Sequence, residues 1–252
     1  LDPIRVSVVS YLNSRPFLYG LHLLGVDELA EISEDHPAAC AQKLISGEAD
    51  LGLVPVGMLP EIPNARIVSN YCIGTEGEVG TVCIFSERPL RDLTGLMLDY
   101  ESRTSVALVK VLLDKYWGVS PRLIAGEPGF ETKIRGQVGG LVIGDRAIAL
   151  TGEFPYVYDL GSAWRQFTGL PFVFAVWVAN KPLPAYFLDR FEAALDAGVA
   201  AIPKLVMLYE SPHPDFSLEQ YYTRRISYRL DAQKKQALSL FLQTIGKPWD
   251  WQ

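Results

Sequence analysis

Ser102, Arg103, Thr104 and Ser105 stand directly ahead of Val106, Leu108, Val109, Leu112 and Leu113, whose apolar spacing predicts a helix. Hydroxyls and first-turn amides at the positive end of a helix dipole make a natural site for a carboxylate or phosphate. Arg103 could add a bidentate contact to a carboxylate. The same residues also read as ordinary caps, because Ser and Thr commonly close the first turn of a helix. A second polar cluster, Ser10, Tyr11, Asn13, Ser14 and Arg15, follows the strand pattern at Val6–Val9 and ends at Pro16. Asn13 can donate and accept at once, which suits the orientation of a hydroxyl, and is equally at home in a turn. Gly144-Asp145 offers a further turn, with Asp145 either facing a ligand or capping the next element. Gly80 and Thr81 open another strand, where glycine permits close approach of a ligand or of neighbouring backbone.

Other chemistries lack their residues. His22, His36 and His213 are scattered with no second ligand three or four positions on, so neither zinc nor histidine-led catalysis finds support. No G-x-S-x-G, phosphate-binding loop, complete G-x-G-x-x-G or H-E-x-x-H is present. Cys40, Cys72 and Cys83 lie in apolar surroundings without C-x-x-C spacing and read as buried, reduced thiols of a cytoplasmic protein. A net charge of −6 argues against a nucleic-acid partner. No apolar run approaches the roughly 18 residues of a membrane span, and the N-terminus lacks the basic and apolar regions of an export signal. Arg15, Glu76 and Glu78 read as solvated charges.

The elements that must position these groups alternate strand and helix. The first is the strand in "IRVSVVS", followed by a helix closing at Gly25, a short strand at 29–32, and a helix entered at Pro37 and ended by Gly47. Strands follow in "ADLGLVPVG", "ARIVSNYCIG" and "EVGTVCIFS". A similar unit contains a strand at 96–98, a helix at 104–116 and a strand at 141–143. An aromatic-rich strand at 172–179 and a helical tail complete the chain. The long strands "VGTVCIFS" and "PFVFAVWVA" read as connections between two lobes. The predicted fold class is therefore α/β, with two lobes: residues 1–88 plus 175–252, and residues 89–174. Ligand sites in such units lie at the carboxyl ends of strands, so the polar loops are expected to converge on one cleft.

Six segments, "VSYLNSRPF", "AQKLISGEADLGLVPVGML", "VGTVCIFSERPL", "LDYESRTSVALVKVLL", "LVIGDRAI" and "DLGSAWRQFTGLPFVFAVWVA", together resemble the chorismate dehydratases of the futalosine route to menaquinone. The resemblance runs in order from about residue 4 to 179 and continues more weakly through "YYTRRISYRLDAQKKQALSLF". It implies a type II periplasmic-binding-protein-like fold with mixed sheets and an inter-lobe cleft. It also implies loss of water from chorismate to give 3-[(1-carboxyvinyl)oxy]benzoate, with no cofactor and no metal. Asn13 is then the expected catalytic residue. Ser10, Tyr11, Gly80, Thr81, Ser86, Ser102, Arg103, Thr104, Ser105, Gly144 and Asp145 are the expected substrate contacts.

The substrate is a dianion and needs two carboxylate sites, one at the helix start at 102–105 and another on backbone amides near Gly80-Thr81 or Gly144-Asp145. The proton leaves ring C3 and the hydroxyl leaves C4, and aromatisation drives the elimination. The matched loops offer no histidine or lysine as base. The enolpyruvyl carboxylate of the substrate is therefore the expected proton acceptor, with Asp145 as the competing one. Two rivals share the fold: a non-catalytic binding protein for a small carboxylate, and the sister enzyme making 1,4-dihydroxy-6-naphthoate, whose first loop is expected to differ from "SYLNSRP".

Overall fold

The computed structural model describes residues 3–251; residues 1, 2 and 252, included in the expected first lobe, lie outside the described residues. Two mixed sheets organise the chain. The first contains β1 (Ile4–Val9), β2 (Ala30–Asp35), β3 (Leu51–Pro55) and β4 (Arg66–Thr75). The second holds β5 (Val82–Ser86), β6 (Gly95–Leu98), β7 (Arg122–Ala125), β8 (Val138–Ile143) and β9 (Tyr156–Asp159). The chain then returns to the first sheet with β10 (Phe172–Ala179) and β11 (Ser227–Arg229). Strand orders are β11-β4-β10-β3-β1-β2 and β7-β6-β8-β5-β9.

β1 runs parallel to β2 and β3, as βαβ connections require, through helices α1 (Arg15–Leu23) and α2 (Pro37–Ser46). β10 inserts antiparallel between β3 and β4 and is buried along its whole length, which explains its unbroken apolar sequence. The first sheet is thus mixed, as expected. In the second sheet β6 is parallel to β7 and β8, while β5 is antiparallel to β8 and β9.

One expectation is corrected here. "VGTVCIFS" and "PFVFAVWVA" do not span the lobes. β5 has both edges paired inside the second sheet, and β10 has both edges paired inside the first. A strand satisfied on both sides belongs to one sheet, so the crossings fall in the short loops ahead of them, after Thr75 and Thr168.

Helix α3 (Arg103–Leu112) follows β6 and is capped by Ser102, whose Oγ accepts from the Ser105 amide at 3.1 Å. The short helix α4 (Asp145–Ile148) follows β8. Asp159 caps α5 (Leu160–Thr168) through the Ser162 amide at 2.8 Å. The tail supplies α6 (Ala185–Ala200), α7 (Ile202–Leu208), α8 (Leu218–Gln220) and α9 (Ala232–Thr244). Phe17 of α1 packs edge-on against Trp177 of β10 at 5.7 Å and against Tyr228 of β11 at 5.3 Å, uniting the N-terminal helix with the tail. Cys40, Cys72 and Cys83 are free and buried, and burial pushes the Cys40 thiol up to about 12. No helix among the described residues is long and apolar enough to cross a membrane.

Asp50, just before β3, ties the sheet to its flank. It accepts from the Arg5 amide at 3.0 Å and pairs with Arg5 Nη2 at 2.7 Å and Lys181 Nζ at 2.8 Å. Burial alone would raise its pKa, but the bonds from Arg5 and Lys181 outweigh that and hold it at about 2, below the ordinary 3.8. A depressed carboxylate stabilises the fold fully above its unfolded value and loses that contribution as pH falls through the folded value. Asp50→Asn is therefore expected to unfold at lower urea than wild type at pH 7, and the gap should narrow from pH 4 toward pH 2. A gap independent of pH would reject this role for the ionised form.

Candidate active site

The carboxyl ends of β1, β3 and β8 and the amino ends of β5, β10 and α3 meet around a partly open cavity. Its walls are apolar, with Val9, Leu53, Ile73, Val82, Ile143 and Phe174 among them. Its polar side chains are Tyr11, Asn13, Thr81, Ser102 and Ser105. Among the described residues no Asp, Glu, His, Lys or Arg lines it, and no group of three or more His, Cys, Asp or Glu side chains is arranged to hold a metal ion.

Both sheets contribute. Tyr11 and Asn13 hang from the turn between β1 and α1, and Ser102 and Ser105 from the start of α3. The first turn of α3 carries amides that no helical carbonyl can accept, so hydroxyls and dipole combine there. Gly144 has φ +61°, and a Cβ on it would lie 2.8 Å from the Tyr11 ring. Backbone angle and close ring contact therefore both demand glycine. The Tyr11 hydroxyl donates to Glu101, and burial followed by that bond pushes its pKa up. Glu101 also lies 3.2 Å from Arg146, which bonds Asp99 at 2.7 Å and Glu131 at 2.6 Å. One guanidinium shared among three carboxylates cannot fully offset their burial, and Asp99 is raised to about 6.

Further contacts join the two sides. The Leu12 amide donates to Asp145 at 3.1 Å, and the Gly57 amide to Thr104 Oγ1 at 2.9 Å. Burial raises the Asp145 pKa against the lowering effect of the Leu12 amide.

Of the expected site residues, Tyr11, Asn13, Thr81, Ser102, Ser105 and Gly144 line the cavity. The others are placed differently. Ser10 donates its amide to the Asp35 carbonyl. Arg103 points outward to Glu61 at 3.4 Å and is not a clamp, because Ser102 occupies the capping position and leaves Arg103 on the exposed side of the first turn. Thr104 is spent on the Gly57 amide. Ser86 lies four residues along β5 from Val82, about 13 Å at strand rise, and its hydroxyl donates to the Arg88 carbonyl. Gly80 does not offer a free amide: the carboxylate of Asp159 accepts from Gly80 at 2.7 Å and Val79 at 3.1 Å. The protein's own anion fills that backbone nest. The Gly144 amide is likewise committed, to the Thr81 carbonyl at 2.8 Å.

The sequence reading missed Glu101, Arg146, Asp159 and Tyr228, and it gave Tyr221 and Tyr222 a part in packing the tail but none in the site. The Tyr222 hydroxyl donates to the Leu12 carbonyl at 3.0 Å and that of Tyr228 to the Asn13 carbonyl at 2.9 Å. The Tyr221 hydroxyl lies 3.0 Å from Thr81 Oγ1. Glu101 and Arg146 adjoin motif residues and could have been noticed there; the tyrosines carried no local signal.

Comparison with known proteins bears on fold and family separately. Solved structures share the two-lobed architecture at low identity. A protein from Archaeoglobus fulgidus superposes with a TM-score of 0.72 at 12% identity, covering 97% of both chains. The alkanesulfonate-binding protein of Xanthomonas axonopodis pv. citri, bound to MOPS, gives 0.65 at 13% identity, covering 99% of this chain and 95% of its own. In sequence, a chorismate dehydratase of Thermus thermophilus is 31% identical over 272 residues, 99% of this chain and 97% of the relative. A second chorismate dehydratase, from Campylobacter jejuni, is 31% identical over 44% of this chain and 51% of its own. The family model for menaquinone biosynthesis matches residues 4–247. With that span and a full-length relative above 30% identity, the chain belongs to the menaquinone biosynthesis family that the chorismate dehydratases represent.

Proposed function

We propose that this protein is a chorismate dehydratase, a hydro-lyase converting chorismate to 3-[(1-carboxyvinyl)oxy]benzoate in menaquinone biosynthesis. The observation that carries the mechanism is a cavity between two sheets lined by neutral donors and by no Asp, Glu, His, Lys or Arg side chain among the described residues. A dianion entering it meets hydroxyls, an amide side chain and a helix start. Ser102, Ser105 and the first turn of α3 take one carboxylate, and Asn13 and Thr81 take the other polar groups across the cleft. The two lobes that close on it are the chain before and after the second sheet, roughly 1–80 with 170–252, and that sheet with its helices between.

Proton removal from C3 leaves charge that spreads through the adjacent double bond into the ring carboxylate, where fixed donors in a dry site stabilise it. The enolpyruvyl carboxylate, attached at the same carbon, takes the proton. Hydroxide then leaves C4 and the ring becomes aromatic. Asp145 is the nearest competitor as base, yet its carboxylate is engaged by the Leu12 amide. Asp145→Asn keeps an acceptor for that amide, so turnover within about threefold of wild type is expected. A loss of 10²-fold or more, the usual scale for deleting a general base, would transfer the proton to Asp145.

The primary test is incubation of the purified protein with chorismate, followed by chromatography and mass spectrometry. A product lighter by one water with a benzoate spectrum is expected. Saturable thermal stabilisation without turnover would instead identify a small-carboxylate binding protein.

A further inference from the structure

Three phenols of the C-terminal segment reach the cavity loops, and one differs from the other two. Tyr222 and Tyr228 bond only backbone carbonyls, of Leu12 and Asn13. Tyr221 meets a side chain: its hydroxyl is 3.0 Å from Thr81 Oγ1. Thr81 lines the cavity ahead of β5 of the second sheet, whereas Tyr221 comes from the tail just ahead of β11 of the first, so their bond joins the two sides of the cleft from behind. The tyrosine is 1% exposed, and its ring is held by Phe216 at 5.1 Å and Tyr222 at 5.7 Å.

We infer that Tyr221 is a positioning residue for the dehydration, fixing Thr81 so that its hydroxyl presents a donor to the substrate; this rests on the function proposed above. The Ser14 hydroxyl donates to Asn13 Oδ1 at 3.1 Å, which leaves Asn13 its amide protons. The phenolic proton has Thr81 Oγ1 as its partner, since a buried hydroxyl proton without an acceptor is costly. Thr81, having accepted, turns its own proton into the cavity, beside the amide protons of Asn13. The pair therefore orients a donor toward an anion without placing a charge in the wall. Burial pushes the Tyr221 pKa up, which keeps the phenol protonated and able to donate.

Tyr221→Phe removes one oxygen and keeps the ring. It should lower kcat roughly 10- to 100-fold, the scale of a misplaced reacting group, with KM changed less than about threefold. Tyr71→Phe is the matched control: Tyr71 is equally buried, but its hydroxyl bonds Asp196 in the tail, so wild-type kcat is expected. The double variant Thr81→Val/Tyr221→Phe should lose less than the product of the single losses, because both disturb one relay. Thermal unfolding of each variant normalises activity to folded protein. Wild-type kcat in Tyr221→Phe, multiplicative losses in the double variant, or a loss matched by Tyr71→Phe would each overturn the inference while the wild-type enzyme stays active. A wild-type enzyme without turnover would overturn the dehydratase reading and this inference together.

Discussion

Replacing Asn13 by alanine is expected to lower kcat roughly 10²–10³-fold, the usual consequence of deleting one preorganised donor at developing charge. The fold should hardly notice. The turn that carries Asn13 is fastened by its backbone: Tyr222 bonds the Leu12 carbonyl, Tyr228 the Asn13 carbonyl, and the Ser14 amide the Tyr11 carbonyl at 3.0 Å. None of these needs the Asn13 side chain, so the unfolding midpoint should stay within about 2 °C of wild type. Asn13→Asp is the sharper variant. It keeps the shape, removes both amide donors and sets a negative charge before a dianion, so KM should rise in addition to the fall in kcat. Near-normal turnover in Asn13→Ala, measured with chorismate and corrected for folded fraction, would remove Asn13 from the mechanism.

The largest effect on stability is expected from a glycine away from the cavity. A Cβ at Gly198 of α6 would lie 1.9 Å from the Pro16 carbonyl oxygen, and one at Gly20 of α1 would lie 1.9 Å from the Ala194 carbonyl oxygen. The two helices therefore cross backbone to backbone, and no side-chain rotation relieves an added methyl. Overpacking of this kind costs about 1–3 kcal/mol and sometimes more, which lowers Tm by roughly 2–4 °C per kcal/mol in a chain of this size. The effect should reach the reaction as well. Pro16 lies two residues after Ser14, so pushing the start of α1 off α6 drags the Asn13 turn with it. Gly198→Ala is expected to lose both stability and about tenfold in kcat at a temperature where it remains folded. Unchanged Tm would mean that the helices can part freely, and unchanged kcat that the turn is insulated from them.

What could be read in advance divides along sequence distance. β1, the helix entered at Pro37 and closed by Gly47 at φ +76°, and the Ser102 cap of α3 were all visible, because each depends on neighbours a few residues away. So were Tyr11, Asn13, Thr81, Ser102, Ser105 and Gly144, which follow strands or precede helices and were expected to share one cleft. The errors arose where another part of the chain had already claimed a group. The amide of Gly80 looked available until Asp159, 79 residues on, was seen to fill it. Arg103 looked like a clamp, but the turn geometry set by Ser102 sends it to Glu61. The strand at Val82–Ser86 read as a bridge because alternation along one strand does not reveal which neighbours pair with it. Tyr221, Tyr222 and Tyr228 belong to the same class: nothing in "YYTRRISY" specifies a destination more than 200 residues earlier.

That last distance has a consequence for how the enzyme is made. The turn bearing Asn13 is among the first segments to leave a ribosome, whereas the hydroxyls that immobilise it lie 210 and 215 residues later. At usual synthesis rates of about 5–20 residues per second, roughly 10–40 seconds separate the two. During that interval β1 can pair with β2 and β3, and Tyr11 and Leu12 can meet Glu101 and Asp145, but both tyrosine anchors are missing. The Asn13 turn is thus fully fastened only once the final strand has been added, and activity is expected to appear no earlier in the life of the chain.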